Sequence, residues 1–156
     1  MTAWDAEPAG TSSRANVAEQ IALLRAWDYR WGVSSVPTSL AVFWGEELQR
    51  RFGREAQAAG IATEEYIAST AQTRQLLQAL SAASDRLKAD FGSWKTPWGE
   101  INRFQRLTDD IEQPFNDDAR SIPVGFASST WGSLASFGAQ AYPQTKKWYG
   151  TSGNSF

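Results

Sequence analysis

Four carboxylates stand in two pairs, Asp109 with Asp110 and Asp117 with Asp118. Such pairs can offer oxygens to a metal ion or divide into a general acid and a general base. The spacing is not that of an EF-hand, and the intervening EQPFN contains no turn glycine, so solvated loop acids are the favoured reading. Glu46 and Glu47, adjacent on a helix surface, read as plain solvent contacts. Hydroxyl chemistry has two candidate places. Removal of Met1 would make Thr2 terminal, and a terminal amine can activate its own hydroxyl. Yet TAWDAEPAG reads as a loose polar arm rather than the start of a buried strand. At the other end GTSGNSF has the small residues of a nucleophilic-serine segment, but Ser152 and Ser155 have no following scaffold to carry a base or oxyanion donors. Trp94, Trp98, Trp131, Trp148 and Tyr149 form the last candidate. They could stack on sugars or peptide prolines, although aromatic residues beside glycine more often pack a backbone against a neighbouring layer.

Composition narrows the chemistry further. The 156 residues contain neither His nor Cys, which removes a Ser-His-Asp triad, a thiol nucleophile, a disulfide framework and the usual zinc sites. No metal site and no cofactor are expected. Hydrophobic residues at 42% and charged residues at 21% are ordinary for a globular domain. The net charge of -2 comes without a run of either sign, so neither a nucleic-acid stripe nor a polybasic membrane patch is expected. Apolar stretches are too short for a membrane span, and MTAWDAEPAG lacks the basic and apolar regions of an export signal. The one excess is 8 Trp, several of them beside Gly.

The elements that would position these residues fall into two textures. Val17, Ile21, Leu24, Trp27 and Trp31 share one face of a helix expected from about Arg14 to Trp31, with Ser12 or Ser13 as its cap and Gly32 as its stop. Pro37 suits the first turn of a second helix, whose stripe is Leu40, Phe43, Trp44, Leu48 and Phe52. Thr63 can cap a short helix with Glu64 and Glu65 at its positive end. A third long helix is expected from Thr70 to Phe91, closed by Gly92, with Leu76, Leu80, Leu87 and Phe91 on one side. After Ser93 periodicity fades; Ile101 to Leu107 and Leu134 to Ala139 alternate briefly as strand or coil. The fold class is therefore mainly α, with three amphipathic helices and one short helix, then a long irregular Gly/Trp-rich tail with short strands. The domain reading is a helical unit over 1–92 and an aromatic, Gly-rich segment over 93–156.

Taken in order, LLRAWDYRWGVSSVPTSLAVFWGEEL, DFGSWKTPWGEINRFQRL, SIPVGFASSTWGSLASFGA and KKWYGTSGNSF resemble the late β-chain region of penicillin-acylase-like enzymes, which include cephalosporin, aculeacin and acyl-homoserine-lactone acylases. The likeness runs from about Ile21 to Phe156. It implies an N-terminal nucleophile hydrolase with an αββα core, matured by self-cleavage, in which a serine at the β-chain start attacks an amide. It also implies that the nucleophile and the oxyanion Asn lie upstream of this segment, so no residue here is expected to be catalytic. In some cephalosporin-acylase-like members an acidic residue in the stretch matching 153–156 supports a catalytic His. This chain has Asn154 there, the single site-proximal candidate, and Asn after Gly also suits a turn. On this resemblance the chain is a fragment truncated at both ends, and structural and inactive alone. Its partners would be the remaining α and β parts of the acylase, the parent's substrate a small-molecule amide, and its parent periplasmic. Exposed apolar surface around Trp98, Trp131 and Trp148 is then expected, with oligomerisation through it. The alternative is a self-standing module binding a peptide or glycan through the Trp-rich tail, with those residues buried or lining one groove.

Overall fold

A computed structural model describes Trp4 and residues 12–126, 129–131 and 137–152. The protein is mostly helical, with a small four-stranded mixed sheet near the C-terminus. It divides into two compact units. One comprises the chain up to Asp28 together with Leu40–Trp94; the other comprises Tyr29–Ser39 and the chain from Lys95 onward.

In the helical unit, α1 (Ser12–Ala15) and α2 (Ala18–Ala26) precede α3 (Val36–Ala59), α4 (Thr63–Thr70) and α5 (Thr73–Phe91). Pro37 sits in the first turn of α3, where its missing N–H costs nothing. The stripe on α3 buries Leu40, Phe43 and Phe52, and that on α5 buries Leu77, Leu80 and Leu87. Phe43 meets Phe91 edge to face at 6.2 Å. One buried polar link, Gln20 Nε2 to Ser84 Oγ at 2.8 Å, satisfies both side chains inside this apolar packing. Gly92 ends α5 in the left-handed conformation at φ 83°, its N–H returning to Lys88 O at 2.9 Å.

Three boundaries differ from those expected. The first helix is broken after Ala15 and stops at Ala26, short of Trp31; Trp27 is already extended and Tyr29 has φ 61°. The chain that follows is committed elsewhere. Carbonyls in 32–35 are claimed by other donors: Gly99 N–H binds Val33 O at 2.8 Å and Trp98 N–H binds Ser35 O at 3.0 Å. Those bonds fix the chain just beyond the expected stop, and DYRW itself, with Asp, Tyr and Trp, has only a modest helix preference to carry the helix that far. Trp31, expected on a buried face, is exposed as a result. Ala62, not Thr63, is the cap residue of α4. Finally, α5 begins at Thr73 rather than Thr70, because Gln72 and Gln75 form a reciprocal capping box.

In the sheet unit, α6 (Trp98–Ile101) leads directly into β1 (Asn102–Phe104), followed by β2 (Ile122–Pro123), β3 (Phe137–Ala141) and β4 (Trp148–Ser152). The strand order is β2-β1-β4-β3, with β1 and β4 parallel and the other pairs antiparallel. Register places Phe104 opposite Ile122, Asn102 beside Trp148, and Gly150 opposite Ala139. The two alternating stretches expected to be strand or coil thus contribute β1 and β3. Residues 32–33 pass between glycines: a Cβ on Gly99 would lie 2.7 Å from Val33 Cβ and 2.9 Å from Val33 O. On Gly125 it would lie 3.3 Å from Gly32 Cα. At Gly99 the approach leaves no room for a side chain, whereas at Gly125 an added Cβ would require the facing backbone to give by a few tenths of an ångström.

Candidate functional site

The polar residues of WGEINRFQRL are where the sheet unit concentrates its specific contacts. In β1 successive side chains point to opposite faces. Asn102 is fully buried, and its Nδ2 donates to Val124 O at 3.2 Å and Phe126 O at 2.6 Å. Arg103 donates from Nε to Ser121 Oγ at 2.9 Å, from Nη2 to Ser121 O at 2.7 Å and from Nη1 to Gly99 O at 2.7 Å. Gln105, also buried, donates to Asn116 O and accepts from Asn116 N–H, both at 2.8 Å. The backbone over 116–126 is largely irregular, so its polar groups cannot pair as a helix or long strand would pair them. These side chains do that instead.

A second cluster lies beneath β4. Asp117 Oδ2 accepts the Lys146 N–H at 2.7 Å, and its Oδ1 faces the Tyr149 hydroxyl at 3.0 Å. The same hydroxyl is 3.1 Å from Asn116 O, so the two acceptors compete for one proton. Lys147 Nζ donates to Asp117 O. Phe115 stacks on Tyr149 with ring centroids 4.8 Å apart and planes 8° from parallel. Burial pushes the Tyr149 phenol above its ordinary value of 10.0, and the adjoining Asp117 carboxylate raises it further. At neutral pH the phenol is therefore a proton donor and an anchor, not a base. Beside this cluster a shallow pocket of about 110 Å³ opens between Phe104, Ile111, Phe115 and Gly150.

The candidate chemistry separates on this geometry. Asp109, Asp110 and Asp118 are exposed loop acids, as the favoured reading has it. Asp117 is not: it is half-buried and holds 146–149 to its loop. Glu47 is likewise more than a solvent contact. Only 13% of its side chain is exposed, and it accepts from Arg50 Nη2 and Arg51 Nε, each at 2.7 Å. Those hydrogen bonds, Arg50's foremost, hold its carboxyl below the ordinary value of 4.5. Among the described residues no group of three or more acids could hold a metal ion, and no helix is long and apolar enough to cross a membrane. Trp98 and Trp148 are buried and meet edge to face at 5.7 Å, which puts them in packing rather than in a stacking platform. Trp94 and Trp131 are half-buried. The exposed apolar surface expected at Trp98 and Trp148 falls instead on Phe104, Ile111 and Ile122.

A model of the penicillin amidase family matches residues 3–156, nearly the whole chain. The chain belongs to the penicillin amidase family. That family is one of amidohydrolases. No curated protein matches the chain. In this penicillin amidase segment Ser152 is the last residue of β4, whereas Asn154, Ser155 and Thr2 lie outside the described residues. The side chains that sequence reasoning missed are Asn102, Arg103, Gln105 and Gln113. A signal was there: polar residues recur inside INRFQRL at places where an edge strand facing solvent would not need them buried.

Proposed function

We propose that this chain is a structural, non-catalytic segment of a penicillin-acylase-like hydrolase. The whole enzyme would cleave the amide bond of an acylated small molecule, such as a β-lactam antibiotic, an acyl-homoserine lactone or a lipopeptide, with an N-terminal serine as nucleophile. The observation that carries this reading is the family match across residues 3–156. It is supported by the occupation of the polar side chains in the WGEINRFQRL motif, which serve backbone groups of their own unit. Its partners would be the remaining α and β parts of the acylase, in a periplasmic parent, and the exposed Ile122 belongs to surface those parts could cover.

The test is hydrolysis of a chromogenic acyl-anilide and of an acyl-homoserine lactone by this chain, beside the product of the same gene extended in both directions. Turnover by the extended, self-cleaved protein alone is the expected result. Turnover by the short chain overturns the reading and returns attention to Thr2. One observation favours the rival reading of a self-standing module: Trp98 and Trp148 are buried. The same burial removes both indoles from any stacking platform, so a bound peptide or glycan would have to use other residues.

A further inference from the structure

We propose that the pocket beside β1 binds a small branched-chain carboxylate, its aliphatic body against the rings and its charge on Arg106. This goes beyond the acylase reading and stands or falls separately from it. The apolar part of the lining is Phe104, Ile111 and Phe115, and Gly150 contributes no side chain to fill the space. At about 110 Å³ the pocket is smaller than the ~150 Å³ apolar cavity that accepts benzene, so a short branched body suits it better than a flat ring. Ile111 is fully exposed, so an occupant that covers it gains apolar burial. Gln113 holds the loop that carries it: its Oε1 accepts the N–H groups of Leu107 at 2.7 Å and Thr108 at 3.1 Å, and its Nε2 donates to Thr108 O at 3.1 Å.

The polar part of the lining decides the head group. It consists of Gln105, Gln113 and Arg106. Both amides are spent on backbone groups of their own loops, so neither is open to a ligand. Arg106 is the one charged residue of the lining and the least committed. Among the described residues its single hydrogen bond runs from Nη2 to Asp109 O at 3.2 Å, a carbonyl and not a carboxylate, which leaves Nε and Nη1 for a ligand. A guanidinium fork matches the two oxygens of a carboxylate and repels a cation. Asp109, Asp110 and Glu112 are exposed and near in sequence, but none lines the pocket and none forms an ion pair with Arg106. They act on an anion only through solvent, where salt screens them, whereas Arg106 meets it directly. An inorganic anion would use the guanidinium and leave the rings and Ile111 uncovered, so the occupant carries both a charge and an apolar body.

The test titrates isovalerate into the isotope-labelled chain at neutral pH and low ionic strength, followed by amide chemical shifts. Shifts should centre on Ile111, Phe115 and Gly150, with a dissociation constant of about 5 mM. Isovaleramide, which keeps the body and loses the charge, should bind about fivefold more weakly. Acetate, which keeps the charge and loses the body, should bind roughly tenfold more weakly. Arg106→Gln should erase the preference for isovalerate over isovaleramide. Ile111→Ser should weaken isovalerate and leave acetate unchanged. Both positions are exposed, so the fold is kept in each variant. Equal binding of isovaleramide or of acetate overturns the proposal, as does an undiminished preference in Arg106→Gln. So do shifts centred elsewhere, or none at several times that isovalerate concentration.

Discussion

In the helical unit the backbone satisfies itself within α3 and α5, and side chains such as Leu40, Leu80 and Leu87 are left free to pack. In the sheet unit the dependence is reversed. Irregular backbone over 116–126 relies on Asn102, Arg103 and Gln105 for partners, and two of these, Asn102 and Gln105, are buried to provide them. One unit is held by apolar area, which is non-directional and tolerant; the other by hydrogen bonds whose geometry is exacting. The two should therefore fail differently.

The largest loss is expected in the helical unit. Leu80→Ala removes a fully buried side chain from α5 and should cost about 3 kcal/mol by denaturant titration, while Leu80→Met at conserved volume should cost about 1 kcal/mol. Gln105→Leu reverses that logic: a conservative change in volume should still cost about 2 kcal/mol, because Asn116 N–H loses its partner and the backbone C=O groups of Asn116, Ala119 and Arg120 lose a buried donor. If Gln105→Leu proves neutral, the contrast between the units is wrong.

Tyr149→Phe should cost about 1 kcal/mol through the lost hydroxyl contacts, and it carries a pH signature. The phenol's folded pKa is raised above its ordinary 10.0, so the stability tied to its neutral form is intact below pH 10 and declines as pH rises above it. Thermal melts across that range should show the decline in the wild type and less of it in the variant. The smallest effect belongs to Glu47→Gln, at under ~1 kcal/mol, because Arg50 is largely exposed and solvent screens the pair. Here the folded pKa is lowered. The contribution is present above the ordinary value of 4.5 and fades as pH falls below it, so wild type and variant should converge in acid.

The same contrast explains what could be read from the residues alone. Helix periodicity located α3 and α5 and named Leu40, Phe43, Phe52, Leu80 and Leu87 as core, because apolar spacing is the cause of their burial. The path of 33–35 was not legible, since the donors that hold it come from Trp98 and Gly99, far along the chain. Asp117 was misjudged for a related reason: an Asp-Asp pair in a polar loop reads as solvated until Tyr149 and the Lys146 N–H are seen to converge on it. The site candidate Asn154 rests on resemblance and lies outside the described residues.

The strap at 29–35, which the sheet unit takes together with the first turn of α3, has a consequence for inheritance. Held between Gly99 and Gly125 and bonded to the amides of Trp98 and Gly99, it belongs with the sheet, although helices flank it in sequence. The chain thus visits the sheet unit twice. A recombination crossover at residue 92 would pass on the strands without the backbone that fills the gap between those glycines. The two units can be exchanged between related enzymes only together, or at two breakpoints chosen to carry the strap along.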